Sequence, residues 1–367
     1  MKRIRGYRYR AYPDRKQQAF FARTFGACRF VYNYYLEQKK TFWEECHDTL
    51  KYTEESRDLS HHLKKEAPWL KEADSIALQQ ALRHLEQAYE NFFQKRGGHP
   101  KFKSKRHAQS YRTMNVNGSI RIGGDRIRVP KAGEVKIRNT RVFDGRILSA
   151  TVSMTASGRY YITLQVEEEA EVLPNKGGET GLDAGLTVLY TDSSGKSVPN
   201  PRTQKKHEKK IARLAKKLSR KKRGSKNREK ARKKLAREQE KVADIRRDYL
   251  HKETCRLANE NQVVCVEDLN VKGMMKNHRL ARSIGDVSWG EFYRMLEYKL
   301  ADHGGVLVKV PRTFPSSQQC SCCGKRNTGV KDLSVRRWKC PVCGALHDRD
   351  VNAAINILKK GKEILAA

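Results

Sequence analysis

Two pairs of cysteines near the carboxyl end of the chain place the strongest constraint on its fold. Cys320 and Cys323 form one C-x-x-C pair, and Cys340 and Cys343 form a second after sixteen intervening residues. A glycine follows each pair. Two thiolate pairs at this spacing fit one tetrahedral zinc ion, because each pair supplies two ligands from a tight turn. Four protein ligands leave no open coordination position, so we expect this zinc ion to be structural.

The distribution of cysteines also indicates the redox environment of the chain. It has nine cysteines, an odd number, and five of them lie between Cys320 and Cys343. This clustering favours metal binding in a reducing compartment over disulfide bonds. Cys322 is left out of the predicted ligand set because Cys320 and Cys323 already have the usual two-residue gap. Without a long apolar run or a secretory signal, we expect a cytoplasmic protein of a prokaryotic cell with no membrane partner.

The net charge of the chain points to a polyanionic partner. Among 367 residues, 77 Lys and Arg stand against 41 Asp and Glu, which gives a formal net charge of +36. The hydrophobic fraction of 38% is sufficient for a buried core, and the length predicts two or three domains. A typical metabolic enzyme is excluded by this charge. Nucleic acid is favoured because every neutralised phosphate releases condensed counterions.

The basic charge is concentrated in residues 202–247. This segment holds 22 Lys and Arg against 5 Asp and Glu, a net charge of +17. Its apolar residues keep helical spacing on both sides of Gly224-Ser225, so we predict two basic helices joined by a turn. A solvated charged face is the alternative interpretation. The imbalance is too large for compensating ion pairs along a helix, which favours contact with phosphates.

The remaining pattern changes character along the chain. A strand over residues 3–12 carries Arg8 and Arg10 on one face, and Pro13 and Asp14 then mark the start of a helix. A helical segment between this strand and a later β-rich segment indicates a small barrel or sandwich interrupted by helices. Periodicity and turn residues predict further helices over 54–66 and 74–96, hairpins over 119–129 and 152–166, and a strand over 179–191.

Acidic residues at the ends of apolar strands are the candidates for chemistry. Asp183 lies in a glycine-flanked strand, Glu267 ends a four-residue apolar strand, and Asp348 and Asp350 open a helix. Taken singly, these acids fit a turn residue, a surface carboxylate and a helix N-cap. Three acids gathered at a sheet edge would repel one another unless divalent cations lay between them. Two Mg²⁺ ions promoting an in-line phosphodiester displacement would supply that neutralisation.

The motifs around these acids resemble those of a known family. GLDAG surrounds Asp183, VEDL surrounds Glu267, and the cysteine segment runs into DRDVNAAINI, which contains Asp350. Further segments with the resemblance are FFARTFGACRFVYNYY at 20–35, VSWGEF at 287–292 and PSSQ at 315–318. Over nearly its whole length, the chain is similar to the TnpB family of transposon-encoded, RNA-guided DNA endonucleases, which are related to type V CRISPR effectors.

The resemblance implies an α+β multidomain fold. It consists of an N-terminal β-barrel, called the wedge domain, with a helical recognition insertion, followed by a RuvC-like nuclease domain of RNase H fold with an inserted zinc ribbon. The implied segments are 1–12 for the first wedge strand, 13–106 for the recognition insertion, 107–174 for the rest of the wedge, 175–315 for the nuclease domain with a basic helical pair at 202–250, 316–346 for the zinc ribbon, and 347–367 for the final helix and C-terminus.

The resemblance also implies the site residues. Asp183, Glu267 and Asp350 match the three acids that bind two catalytic Mg²⁺ ions, with Mn²⁺ as an alternative; Asp350 is chosen over Asp348 because it directly precedes Val-Asn-Ala-Ala. The implied partners are a guide RNA and a double-stranded DNA target beside a short motif, with the protein a monomer in its RNA complex. The candidates for nucleic-acid contact are Tyr52, Gln79, Gln80, Thr113, Arg8, Arg10, Lys209 and Lys216.

Two other functions remain open on the sequence alone. A non-catalytic guided DNA-binding protein of repressor type would use the ribbon and the basic helices without the acids. A DNA strand transferase is the second alternative, although no tyrosine nucleophile motif marks such chemistry. No histidine-centred cluster of HNH type accompanies the cysteines, which indicates that one active site cuts both DNA strands in turn.

Overall fold

The computed structural model describes residues 2–106, 109–169, 171–332 and 334–367. Two compact units make up the chain, residues 1–170 and residues 171–367. Each unit combines helices with a β-sheet, so the predicted mixture of helices and sheets is confirmed. In the described ranges, no helix is long and apolar enough to cross a membrane.

The sheet of the first unit has seven antiparallel strands, in the order β2-β6-β7-β1-β5-β4-β3. The strands are β1 (Lys2–Tyr12), β2 (Gln109–Met114), β3 (Arg121–Gly123), β4 (Arg126–Val129), β5 (Gly133–Arg138), β6 (Arg146–Met154) and β7 (Tyr160–Glu169). Both predicted hairpins are confirmed, as β3–β4 and β6–β7. Among the residues described, no pairing joins β2 to β3, so closure into a barrel stays a prediction.

Helices between β1 and β2 form the rest of this unit. They are α1 (Arg15–Cys46), α2 (Tyr52–Asp58), a π-helical turn (Leu59–Leu63), α3 (Lys64–Glu66), a 3-10 turn (Pro68–Glu72) and α4 (Ser75–Phe93). Asp14 begins α1 as predicted, because its carboxylate accepts from the Gln17 backbone N–H. The helix predicted over 54–66 is interrupted by the π-helical turn. Tyr9, Phe21 and Leu82 lie in one hydrophobic core that joins sheet and helices.

A buried ion pair within these helices has a consequence for stability. Lys39 Nζ lies 3.0 Å from Glu55 Oε1, and both side chains are buried. Burial raises the pKa of Glu55 from 4.5 to about 7, while the Lys39 ammonium opposes the rise. Between these two pH values the folded chain holds more protons than the unfolded chain, so stability falls as pH rises, by about 3 kcal/mol in total.

We therefore expect Glu55→Gln to flatten the dependence of the melting temperature on pH. Between pH 4.5 and 7 the wild-type melting temperature should fall more steeply than that of the variant, which has no carboxyl group to ionise. Differential scanning fluorimetry across this range checks the expectation, with the exposed Glu66→Gln as a matched control. Equal slopes for wild type and Glu55→Gln would contradict it.

The sheet of the second unit has five strands in the order β10-β9-β8-β11-β12. The strands are β8 (Gly178–Ala184), β9 (Val188–Asp192), β10 (Ser197–Pro199), β11 (Asn261–Glu267) and β12 (Val306–Val310). The first three are antiparallel, whereas β8, β11 and β12 run parallel. The prediction of one strand over 179–191 is wrong: Gly185, Leu186 and Thr187 turn the chain, and Asn200 Nδ2 donates to the Leu186 carbonyl oxygen.

The helices of this unit include the predicted basic pair. They are α5 (Thr203–Ser219), α6 (Lys226–Glu260), α7 (Val271–Met274), α8 (Ala281–Val287), α9 (Trp289–Asp302) and α10 (Arg349–Ala366), with a 3-10 turn (Thr328–Lys331) and a small hairpin of β13 (Arg337–Lys339) and β14 (Leu346–Asp348). Glycines let α10 lie close to the sheet. A Cβ added at Gly181 would collide with the Ala354 carbonyl oxygen, and one at Gly361 would collide with Cys265 Sγ.

Candidate active site and cysteine cluster

Asp183 and Glu267 end neighbouring parallel strands of the second unit. Leu182 in β8 pairs with Val266 in β11, so the two acids come one residue later at the same edge of the sheet. Parallel strands lie about 4.8 Å apart. The strand register therefore brings together two residues that are 84 positions apart in the sequence.

Asp350 reaches the same region from the first turn of α10, which packs on β8. Asp348 is the N-cap of this helix, since its Oδ1 accepts from the backbone N–H groups of Asp350, at 3.1 Å, and Val351, at 3.2 Å. The alternative interpretation as a cap therefore applies to Asp348. The carboxylate of Asp350 lies 3.5 Å from Arg336 Nη1 and is partly exposed.

The electrostatics show that the three acids act on one another. Burial raises the pKa of Asp183 well above its ordinary value, and the charges of Glu267 and Asp350 raise it further. Arg349 and Arg336 oppose this rise without cancelling it. Among the described residues, however, the three carboxylates do not form a cluster whose oxygens all lie within 4.8 Å of one another. The charges of Glu267 and Asp350 nevertheless act on Asp183.

Two further side chains belong to this region, and neither was predicted from the sequence. Ser316 Oγ donates to Glu267 Oε1 at 2.5 Å. Among the residues that the structure describes, the buried Tyr293 hydroxyl has no hydrogen-bond partner, and its pKa is raised by burial and then by Glu267 and Asp183. The segments PSSQ and VSWGEF already carried the family resemblance, and each contains or adjoins one of these residues. That resemblance is the signal that could have found them.

The four predicted cysteines form one cluster. The Sγ atoms of Cys320, Cys323, Cys340 and Cys343 all lie within 4.8 Å of one another. The glycine after each pair has a positive φ, 77° and 73°, a conformation that side chains rarely adopt. Backbone N–H groups of Cys343 and Val342 lower the pKa of Cys340 to about 6. The pKa of Cys320 is also lowered, whereas the neighbouring thiols raise the pKa values of Cys323 and Cys343.

A second possible ligand set overlaps the first. Cys320, Cys322 and His347 also lie within 4.8 Å of one another, with His347 Nε2 3.0 Å from Cys320 Sγ. Spacing alone excluded Cys322 from the predicted set, and nothing in the sequence singled out His347. The imidazole of His347 is buried against Trp338, with ring centroids 4.6 Å apart. His347 thus joins the cysteine cluster to β14, which leads directly into α10.

Most of the candidates for nucleic-acid contact have accessible side chains. Arg8, Lys209 and Lys216 are exposed, and the Arg8 guanidinium lies 3.8 Å from the centroid of the Tyr161 ring. The partly exposed candidates are Arg10, Tyr52, Gln79 and Gln80.

Thr113 is placed differently from the other candidates. Its side chain is fully buried, and its hydroxyl donates to Asp74 Oδ2 at 2.5 Å. A side chain without accessible surface offers nothing to a nucleic acid, so the structure argues against the predicted contact at Thr113. Its hydroxyl instead ties strand β2 to the start of α4.

Three family models match separate segments of the chain. Residues 161–278 match a model described as "Probable transposase" of the IS605 OrfB type, and residues 289–357 match the "Cas12f1-like, TNB domain". Residues 1–47 match a model described as "Helix-turn-helix domain". In the described part of that last segment, residues 2–47, the chain forms strand β1 and the single 32-residue helix α1.

Relatives of similar length match nearly the whole chain. A protein of Streptomyces pristinaespiralis named "Putative RNA-guided DNA endonuclease" is 40% identical, over 97% of this chain and 89% of its own length. A protein of Escherichia coli strain K12 named "Putative RNA-guided DNA endonuclease InsQ" is 35% identical, over 100% of this chain and 94% of its own length. The chain therefore belongs to the TnpB family, also called the IS605 OrfB family.

A solved structure shares the fold. The protein chain in a structure titled "Cryo-EM structure of the Cas12f1-sgRNA-target DNA complex" matches with a TM-score of 0.60 over 97% of this chain and 98% of that chain. Sequence identity is 13%. The similarity thus concerns the fold and adds to the match with the Cas12f1-like domain model.

Proposed function

We propose that the chain is an RNA-guided DNA endonuclease that hydrolyses phosphodiester bonds at Asp183, Glu267 and Asp350. The observation that carries this proposal is the strand register that places Asp183 beside Glu267 at one edge of the sheet. Burial, and then the charges of Glu267 and Asp350, raise the pKa of Asp183. A protein keeps such uncompensated charge where a cation or a reaction uses it. The names of the two relatives support the guided reaction on DNA.

The residues present fit divalent metal ions. Carboxylate oxygens are hard ligands of the kind that Mg²⁺ and Mn²⁺ prefer. Two such ions, as in two-metal nuclease sites, would neutralise three carboxylates whose charges act on one another. Bound Mg²⁺ would supply Lewis-acid stabilisation of the attacking and leaving oxygens of an in-line displacement. The chain itself holds Asp183 and Glu267 at adjacent strand ends, and Ser316 orients the Glu267 carboxylate.

The residues at the cysteine cluster fit zinc. Four thiols at tetrahedral spacing, one of them acidified by backbone N–H groups, are the donors of a structural zinc site. Cys320, Cys323, Cys340 and Cys343 would hold the ion. Its role would be to close the two turns on each other, because this region has only a small hydrophobic core around Val330 and Trp338.

The finer architecture follows from the same family membership. An RNase H-like nuclease domain is supported by a sheet of three antiparallel strands followed by two parallel strands, with acids at the ends of β8 and β11. We assign residues 175–315 and 347–367 to this domain and 316–346 to the ribbon. Residues 1–12 and 107–174 would form the wedge, and residues 13–106 the recognition insertion.

The basic helices α5 and α6 would bind phosphates of the guide RNA or of the heteroduplex. Two of their acids are already paired, Glu238 with His207 and Lys210, each at 2.7 Å, and Glu208 with Arg282 at 2.6 Å. Over residues 202–247, 22 Lys and Arg stand against 5 Asp and Glu, so most of the basic charge is not neutralised, and the side chains of Lys209 and Lys216 are exposed.

Reversing the charge at these two lysines should weaken nucleic-acid binding and its salt dependence. For Lys209→Glu/Lys216→Glu we expect the slope of log K against log salt for non-matching duplex to fall by about 2, since each phosphate contact contributes about 0.9. Filter binding between 50 and 400 mM salt measures the slope. Over this range the Debye length falls from about 15 to about 5 Å. The variant Lys209→Arg/Lys216→Arg keeps the charge and should behave as wild type. An unchanged slope after charge reversal would contradict phosphate contact.

Guided cleavage tests the proposed function directly. The full chain is purified with the RNA that accompanies it, the RNA is sequenced, and a duplex matching its guide is offered beside a randomised flanking segment with Mg²⁺. We expect both strands of the matched duplex to be cut, and a mismatched duplex to stay intact. Binding without cleavage in Mg²⁺ and Mn²⁺ would overturn the proposal in favour of a guided repressor. Joined DNA products would overturn it in favour of strand transfer.

A further inference from the structure

The loop that precedes the first cysteine pair contacts a candidate catalytic acid. Ser316 is buried, and its Oγ donates to Glu267 Oε1 at 2.5 Å. The backbone carbonyl oxygen of the same residue accepts from Asn356 Nδ2 at 2.8 Å. Helix α10 therefore holds the backbone of Ser316, and the side chain of Ser316 holds the carboxylate of Glu267.

Two asparagines of α10 hold the first cysteine turn. Asn352 Nδ2 and Asn356 Nδ2 both donate to the Gln319 carbonyl oxygen, at 2.7 and 2.6 Å. Asn352 Oδ1 accepts from the Ser321 backbone N–H at 2.9 Å. Gln319 and Ser321 flank the cysteine Cys320, so its backbone is fixed to the helix on both sides. Both amides are buried, so removing either leaves unpaired backbone groups, which is costly.

The same helix carries the third acid. Asp350 lies two residues before Asn352, in the first turn of α10. Hydrogen bonds thus connect the cysteine cluster with Glu267, from the neighbours of Cys320 to Asn352 and Asn356, and from Asn356 through Ser316 to Glu267. Asp350 is connected to the same cluster through helix α10. In the described part of the chain, each step of this path is a hydrogen bond or a covalent link between adjacent groups.

We propose that Ser316, Asn352 and Asn356 are positioning residues that couple the cysteine cluster to the catalytic acids. With the cysteine turn closed on zinc, Ser316 holds Glu267 in the orientation that binds a divalent ion. Opening of the turn releases Ser316, and Glu267 loses that orientation. Coupling between two sites is reciprocal, so a divalent ion at the acids tightens zinc binding at the cysteines. We expect this tighter binding to be seen as slower zinc loss. This inference rests on the proposed function.

Ser316→Ala isolates the contact with Glu267. A hydrogen bond to a charged group is worth about 10-fold to 100-fold in an equilibrium constant. We expect the Mg²⁺ concentration for half-maximal cleavage of a matched duplex to rise by about that factor, with most of the rate restored at saturating Mg²⁺. Ser316→Thr keeps the hydroxyl and should restore the wild-type Mg²⁺ dependence. Ser317→Ala, the same change one residue later, is the matched control.

Zinc release provides a readout that does not involve cleavage. The rate of zinc release from the full chain in its RNA complex is followed with a chelating dye, with and without Mg²⁺. We expect Mg²⁺ to slow release at least several-fold in wild type and Ser317→Ala. It should have no effect in Ser316→Ala, where the path is cut, or in Asp183→Asn, where the metal site is damaged.

The outcomes separate this inference from the proposed function. If Ser316→Ala matches wild type both in Mg²⁺ dependence and in Mg²⁺ protection of zinc, the coupling is overturned while the nuclease assignment stands. If Asp183→Asn still cuts the matched duplex, the proposed catalytic site is overturned. Should Ser316→Ala fail to fold, Asn356→Asp tests the next contact, because its carboxylate no longer donates to the Ser316 and Gln319 carbonyl oxygens.

Discussion

We expect Asp183→Asn to abolish cleavage of a guide-matched duplex while target binding remains. The substitution keeps the shape of the side chain but removes the charge that a divalent ion needs at the centre of the acid group. Loss of about 4 kcal/mol of transition-state stabilisation corresponds to a rate at least about 1,000-fold lower. Single-turnover cleavage and gel-shift measurements on the same RNA complex give the two quantities separately.

The same variant should stabilise the metal-free protein. Because the folded-state pKa of Asp183 is raised, the folded chain holds its proton at pH values where the unfolded chain has lost it. Stability therefore falls as pH rises through the window that begins at the ordinary pKa of aspartate, near 3.8, and ends at the raised value. The Asp183→Asn variant has no carboxyl group to ionise, so it does not lose stability in this way. In EDTA we expect the melting temperature of Asp183→Asn to exceed that of wild type, by an amount that grows with pH.

Mg²⁺ should reverse the order of the two melting temperatures. Mg²⁺ that binds the folded acids raises the melting temperature of wild type by mass action and leaves the variant unchanged. Glu179→Gln is the matched control: this glutamate lies on the same strand, partly exposed and 2.6 Å from Lys362, and its loss should alter neither cleavage nor the Mg²⁺ response. An Asp183→Asn protein that cuts at the wild-type rate, or that melts below wild type in EDTA, would contradict the assignment.

The parts of the site that follow local sequence rules could be predicted from the sequence. The cysteine turns depend on a two-residue gap and a following glycine, so they are encoded within a few residues. The basic helices follow from periodicity over residues 202–247, although the second helix continues to Glu260. The start of α1 at Asp14 follows from cap chemistry.

The remaining features depend on contacts between distant segments. The closeness of Asp183 and Glu267 results from the parallel register of β8 and β11, which no local pattern encodes; only the family resemblance indicated it. The turn that divides residues 179–191 was missed because its apolar residues continue the strand pattern. The contact between Ser316 and Glu267 joins residues that are 49 positions apart, so no local pattern in the sequence indicated it.

Tertiary contacts also explain several buried polar residues. Only the family resemblance suggested a nucleic-acid contact at Thr113, whose hydroxyl donates to Asp74 at the start of α4 in a buried hydrogen bond. Asn352 and Asn356 are poor helix formers within α10, yet each satisfies backbone groups of the cysteine turn. A residue that is unfavourable for its own element is thus a signal of a contact elsewhere.

We expect Cys340→Ser to lose the zinc ion and unfold the ribbon, and Cys322→Ser to do neither. Cys340 is a member of the four-cysteine cluster, and backbone N–H groups lower the pKa of its thiol. Binding of structural zinc contributes about 10 kcal/mol or more to folding, far more than the small hydrophobic core around Trp338 can replace. We expect zinc content near zero, a lower melting temperature and loss of guided cleavage.

The contrast with Cys322 decides between the two overlapping ligand sets. Cys322 is exposed and belongs to the alternative set with Cys320 and His347. If the four-cysteine set holds the ion, Cys322→Ser keeps one zinc per chain by elemental analysis and keeps the wild-type melting temperature. Zinc loss in Cys322→Ser together with retention in Cys340→Ser would assign the ion to Cys320, Cys322 and His347. In that case the metal would lie against the strand that leads into α10, and its removal would act on Asp350 directly through His347.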